Sequence, residues 1–185
     1  WNIVFVYLNQ IIEIMEDNLK KYSIDLGIKL GTLLFVITAI LYVINIEYFY
    51  NGLKTAIFFP IIIGFGIYSV FSSRNHLKKI ISFKEAFAAY FICVAVGYLI
   101  TTIGDIVIFK FIDPKAANLI NEESMILTKQ GLEIMQVKAN DIDIALENMQ
   151  NNPVYSYSNI ISNYFIILLI NAVFGMIPAL IFKKS

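Results

Sequence analysis

Catalytic side chains are scarce in this 185-residue chain. It has one histidine, His76, and one cysteine, Cys93. A single histidine excludes intrachain His dyads, bis-histidine haem ligation and ordinary zinc sites. A single cysteine excludes an intrachain disulfide, and Cys93, set within an apolar stretch, reads as a small packing residue. No serine sits in a nucleophile elbow, and no glycine-rich phosphate loop occurs. The acidic pairs Glu122 with Glu123 and Asp141 with Asp143 fall on polar helical segments and read as solvating charge. Basic and acidic residues balance at 14 each, which removes the electrostatic basis for nucleic-acid binding. No catalytic residue and no cofactor is expected, so the chain reads as a non-enzyme.

What the chain has in excess is apolar length. Hydrophobic residues make up 58% and charged residues 15%, with a mean hydropathy of +0.72. That is too apolar for a water-soluble domain of this size. Four stretches, residues 27–46, 53–71, 87–111 and 160–182, each approach the ~20 residues that a helix rising about 1.5 Å per residue needs to cross a ~30 Å hydrocarbon layer. The expected fold is all-α, a polytopic membrane protein built as an antiparallel bundle of four transmembrane helices.

Residues 1–26 read as an N-terminal cytoplasmic or interfacial segment, residues 27–182 as the membrane domain, and residues 183–185 as a cytoplasmic tail. Residues 1–14 are too short to span and lack the basic start and small-residue cleavage site of a signal peptide, and Met15 is the expected natural start. Lys20, Lys21, Lys29, Arg74, Lys78, Lys79, Lys84, Lys183 and Lys184 flank one side of the spans. Lys54, Lys110, Lys115, Lys129 and Lys138 flank the other. The basic excess on the first side predicts that both termini are cytoplasmic.

Residues 112–159 form the one sizeable segment outside the spans, a helical extracytoplasmic loop. Asp113-Pro114 is an N-cap followed by proline at the first helical position, with Ala116, Leu119, Ile120 and Leu127 on one face. Gly131 is expected to end that helix. Asn140 is expected to cap a second one, carrying Ile142, Ala145, Leu146 and Met149. Ser82-Phe-Lys-Glu85 has the form of a capping box opening the third span. Tyr48, Phe49, Tyr50, Phe109, Phe111, Tyr155 and Tyr157 read as interfacial aromatics.

Ionisable residues at membrane depth are costly and often functional. Lys29 lies one turn into the first span and can snorkel. Asp105, in the third, needs a partner such as Lys110, Asn163 or Tyr164 if that span continues to Phe111. With Thr101, Thr102 and Asn171 it forms a candidate intramembrane polar site. Asn171, Tyr42 and Tyr68 form an alternative pocket. Gly27, Gly31 and Thr38, then Cys93, Gly97 and Gly104, and finally Gly175 mark seams where small residues let helices approach. Pro60 and Pro178 are expected to bend their spans.

The layout resembles the family of bacterial inner-membrane proteins grouped as domain of unknown function 4199. The resemblance rests on Gly27-Ile-Lys-Leu-Gly31, on Ile81-Ser-Phe-Lys-Glu-Ala-Phe87, on Asp113-Pro114, on Gln130-Gly131 before an acidic helix, and on the closing Lys183-Lys184. It implies a topology and a bacterial inner-membrane location, and no catalytic residues. The expected function is association or scaffolding through the membrane helices and the outer loop, with membrane lipids and either a second copy or another membrane protein as partners. The alternative is a small homo-oligomeric transporter or channel using Asp105.

Overall fold

The computed structural model describes residues 2–76 and 81–183, with side chains for 18–75 and 81–183. Lys78, Lys79, Lys184 and the side chain of His76 lie outside the described residues. The chain is helical, with no strand among the described residues. Helix α1 runs Asn2–Ile44, a 3-10 turn Ile46–Phe49, α2 Leu53–His76, α3 Phe83–Ile106, a π-helical turn Val107–Ile112, α4 Pro114–Ile134, α5 Ala139–Asn151 and α6 Tyr157–Phe182. Four helical stretches are long and apolar enough to cross a membrane: Asn18–Ile44, Leu53–Asn75, Phe83–Ile112 and Tyr157–Phe182. The protein is a membrane protein with four such helices.

The first apolar helix starts well before residue 27 and stops at Ile44 instead of 46. The helix passes through the charged residues Glu16, Asp17, Lys20 and Lys21, since lysine and glutamate are good helix formers and charge does not end a helix. At the other end Asn45 leaves the helix in extended conformation and its side chain accepts the Glu47 N–H at 2.9 Å, opening the 3-10 turn. Gly52, at φ 86°, completes the turn into α2. The capping box forms as the sequence predicts. Glu85 N–H donates to Ser82 Oγ at 3.2 Å, and Ser82 N–H donates to Glu85 Oε2 at 2.8 Å. Both α2 and α6 continue through their internal prolines, Pro60 and Pro178.

Helix α3 is central, touching α1, α2 and α6, while among the described residues α1 and α6 do not meet. Its contact with α1 is built on small residues. A Cβ on Gly27 would stand 2.8 Å from the Cys93 carbonyl oxygen, and one on Gly31 would stand 2.7 Å from that of Gly97. Gly97 receives Leu30 and Gly104 receives Phe35. Residue numbers rise together along this seam, so α1 and α3 run in the same direction. On α2, Ser69 Oγ donates to the Ala89 carbonyl at 2.8 Å while Lys54 reaches Asp105, so numbers fall as those of α3 rise.

Tyr90 is fully buried, its ring seated between Gly66 and Gly175, either of which would collide with it if given a side chain. Its hydroxyl donates to Asn171 Oδ1 at 3.3 Å. Thr38 is also fully buried, but its Oγ1 has no hydrogen-bond partner. Outward faces of α1 and α6 are apolar, with Val43 81%, Leu169 69% and Ile181 70% exposed, as lipid-facing surfaces require.

A second, smaller core joins the membrane helices to the outer segment. Ile108 and Phe109 of the π-helical turn pack with Ala116 and Ile120 of α4, against Tyr42, Phe49 and Tyr155. Phe109 is therefore core and not interfacial, whereas Phe111 and Tyr157 are 73% and 61% exposed. Asp113 caps α4 by accepting the Ala116 N–H at 3.0 Å, and its other oxygen accepts the Tyr42 hydroxyl at 2.7 Å. The Tyr42 hydroxyl and the Ala116 N–H hold the Asp113 carboxyl below the usual range.

Two expected breaks fall elsewhere. Helix α4 passes through Gly131 and ends three residues later, where Gln136 takes φ 56°. Val137 N–H then bonds the Leu132 carbonyl at 3.1 Å and Gln136 N–H that of Glu133 at 3.0 Å, the Schellman pattern. The left-handed position is set by where the turn must fall, and Gly131 lies too early to fill it. Lys138, not Asn140, is the N-cap of α5. Leu119 and Leu127 are exposed at 41% and 42%, so the inward face of α4 is Ala116 and Ile120 without them.

Candidate functional site

Toward the end of the bundle that carries α4 and α5, α2 and α6 flank a cleft of about 440 Å³ whose floor is α3. Lys54, Phe58 and Ile62 of α2 line one wall, and Ile160, Ile167 and Asn171 of α6 the other. Tyr98, Thr101, Thr102 and Asp105 come from α3, and Phe49 with Tyr155 close the upper rim. The four residues of the predicted polar site, Asp105, Thr101, Thr102 and Asn171, all line this one cleft. The alternative trio does not assemble. Asn171 is here, Tyr42 is bonded to Asp113, and Tyr68 lines a separate groove with Lys29.

The partner of Asp105 is Lys54. Its ammonium donates to both carboxylate oxygens at 2.8 Å, and the two side chains are 15% and 21% exposed. The three partners expected from sequence are engaged elsewhere. Lys110 lies over the Tyr157 ring at 5.2 Å, Asn163 Nδ2 donates to Tyr98 Oη at 3.4 Å, and Tyr164 Oη donates to the Ala95 carbonyl at 3.2 Å. Lys54 is one position inside α2, so the hairpin that starts α2 brings it level with Asp105, 51 residues away in sequence. Its ammonium also stands 4.9 Å from the Phe49 ring centre and 5.3 Å from that of Phe58, favourable cation–π positions. No local sequence pattern links these residues. The available signal is elimination: Lys54 is the cation next to the first turn of a span, where Asp105 needs one.

Lys29, the cation one turn into the first expected span, pairs with Asp25 one turn back at 2.7 Å on an exposed face. Directly above the cleft the Tyr155 ring stacks on Phe109, with centroids 4.2 Å apart. Burial first and the Asp105 charge second push the Tyr155 hydroxyl well above its ordinary value. The segment bearing Tyr155 is tied down on both sides. Val154 N–H donates to Asn121 Oδ1 of α4 at 3.0 Å, and Asn159 Nδ2 donates to the Asn152 carbonyl at 2.7 Å.

The threonine hydroxyls are turned to their own helix, Thr101 Oγ1 to the Gly97 carbonyl at 3.0 Å and Thr102 Oγ1 to that of Tyr98 at 2.8 Å. Asn171 Nδ2 likewise donates to Ile167. The cleft is thus polar at one rim, where Lys54 and Asp105 sit, and apolar along its body. Of its lining, Asn171 accepts the hydroxyl of the buried Tyr90, and the Phe59 ring meets that of Phe174 edge-on at 5.3 Å. Among the described residues no three His, Cys, Asp or Glu side chains converge as a metal site.

Neither the curated proteins nor the solved structures include a match to this chain. A family model described as a protein of unknown function matches residues 25–184, which takes in most of the first apolar helix and all of the other three. The chain therefore belongs to the DUF4199 family.

Proposed function

We propose that this membrane protein acts by binding and not by catalysis, and that the cleft between α2, α3 and α6 receives a small amphiphile from the surrounding lipid. The observation that carries the reading is the cleft's lining: the Lys54–Asp105 pair at one rim and phenylalanine and isoleucine side chains along its body. Its size falls in the range of small-molecule sites. Thr101 and Thr102 are bonded to their own helix and the cleft's one carboxylate to Lys54, an arrangement suited to recognition, since that carboxylate is engaged by a cation and not free to act as a base. Against a conducting path stands Tyr90, fully buried between Gly66 and Gly175 beside Asn171.

In this reading the rim with Tyr155 faces away from the cytoplasm, both termini are cytoplasmic, and the membrane is the bacterial inner membrane. The basic bias of the short connections supports that orientation. The connection bearing Val154 and Tyr155, tied to α4 through Asn121, then acts as a tethered cap at the cleft's rim.

The test is photolabelling of the purified full chain in micelles with a neutral-headed alkyl-diazirine amphiphile, mapped residue by residue. Label is expected on Ile62 and Ile167, which line the cleft, with Ile62 only 4% exposed. Thr102→Trp, which fills the cleft, is expected to remove it. Label confined to outward positions such as Val36, Ile40 and Leu169, with Ile62 untouched, would overturn the reading.

A further inference from the structure

We propose that the occupant of the cleft is a zwitterionic amphiphile, whose cationic group turns to Asp105 and whose anionic group turns to Lys54 while its tail lies against the apolar walls. This inference rests on the cleft being a binding site and names the chemistry of the head it recognises.

Charge is the first reason. Lys54 and Asp105 are the only oppositely charged residues lining the cleft, and they stand side by side at its rim. A purely anionic head pairing with Lys54 would leave Asp105 without its cation, and a purely cationic head would strand Lys54. In a partly desolvated site an unpaired charge is expensive, so both single-sign heads are penalised. A head carrying both signs replaces the internal pair with two external ones and strands neither.

Accessibility is the second. At 15% and 21% exposure, both side chains still present surface to a ligand. The Phe49 and Phe58 rings, 4.9 and 5.3 Å from the ammonium, hold it in place independently of the carboxylate, so exchange of partners needs no large movement of Lys54.

Size and lining are the third. A volume of about 440 Å³ is at the small end of ligand sites and takes a head with the first part of one chain, not a whole two-chain lipid. Phe58, Phe59, Ile62, Ile160, Ile167 and Ile170 supply the apolar body. Phe59 and Ile170 are also 40% and 41% exposed to the outside, which marks the gap between α2 and α6 as the side where the rest of a tail leaves toward lipid.

The experiment is competition against the neutral-headed photolabel on Ile62. Competitors are single-chain amphiphiles of equal tail length with phosphoethanolamine, phosphoglycerol or ammonium heads, together with free phosphoethanolamine. The phosphoethanolamine amphiphile is expected to compete about tenfold better than either single-sign head, a difference that one retained charge contact supplies. In Lys54→Met the preference should move to the ammonium head, and in Asp105→Asn to the phosphoglycerol head. The double variant, which leaves no charge to strand, should keep the photolabel and lose all discrimination, with circular dichroism confirming that it is folded.

Equal competition by all three heads, with Ile62 still labelled in the wild-type chain, overturns the zwitterion and leaves the binding cleft standing. Absence of label on Ile62 overturns the cleft itself. Free phosphoethanolamine competing as well as its tailed form overturns a membrane-derived occupant in favour of a soluble one.

Discussion

Along the face of α3 that meets α1, backbone approaches backbone, because Gly27 and Gly31 sit opposite Cys93 and Gly97 and leave no room for any side chain. Along the face that meets α2 and α6, large and charged side chains intervene, and the helices flank a cleft lined by Lys54, Asp105 and bulky apolar side chains. In lipid there is little hydrophobic drive to bring helices together, so close van der Waals contact decides which pairs seal. The same four helices thus yield a closed seam and an open site, according to which residues each face presents.

The seam is where the largest effect is expected. Gly31→Leu forces a side chain into the Gly97 carbonyl and Ile100, and should cost about 3 kcal/mol or more, read by steric trapping or thermal unfolding in detergent. Gly64, with open space around its Cβ position, is the matched control, and Gly64→Leu should stay within about 0.5 kcal/mol of wild type. Equal losses from both would show that glycine matters here for something other than close approach.

At the cleft the next effect concerns charge. Lys54→Met leaves Asp105 without its cation and should cost about 1–3 kcal/mol, a partly buried case lying below the fully buried limit. Adding Asp105→Asn should return part of that loss. A double-mutant cycle with no coupling would mean that the pair contributes nothing to the fold.

Back on the seam, Thr38→Val removes a buried hydroxyl that has no partner and keeps the shape, so stability should rise by about 1 kcal/mol. A fall would show that the hydroxyl finds an acceptor in the folded protein.

The smallest effect is a pH dependence at the start of α4. Asp113 has a lowered carboxyl pKa, so the stability it contributes is present above the ordinary carboxylate value and is lost as pH falls through the lowered one. Hydrogen exchange at the first turn of α4 should therefore quicken on acidification through that window. Tyr42→Phe, which removes the main cause of the shift, should move the onset toward the ordinary value. An unchanged onset would assign the shift to the Ala116 N–H instead.

Residues that act through neighbours in sequence are legible in the linear chain. Ser82 with Glu85, and Asp113 with Pro114, form caps because the partner lies within one turn. The seam glycines are equally legible, since a spacing of four places Gly27 and Gly31 on one helical face. The cleft is half legible: Asp105, Thr101, Thr102 and Asn171 stand out as polar residues within apolar stretches, but nothing in the spacing links them to Lys54, which completes the site. Gly66 gives no sign of being half of the socket for Tyr90, because an isolated glycine looks the same whether a ring or lipid lies opposite it.

Composition and periodicity determined by themselves that this chain is all-helical, that four of its helices are apolar enough to cross a membrane, and that small residues stripe two of them. These follow from interactions of one residue with solvent or with its own turn, which the linear order already contains. Only the tertiary structure decided that Lys54 meets Asp105, that Tyr90 bonds Asn171 and that Tyr155 lines the cleft's rim. Each of those contacts joins different helices, and which side chains meet across such a gap depends on how far each helix slides and turns against its neighbour, a choice made by packing and not by spacing.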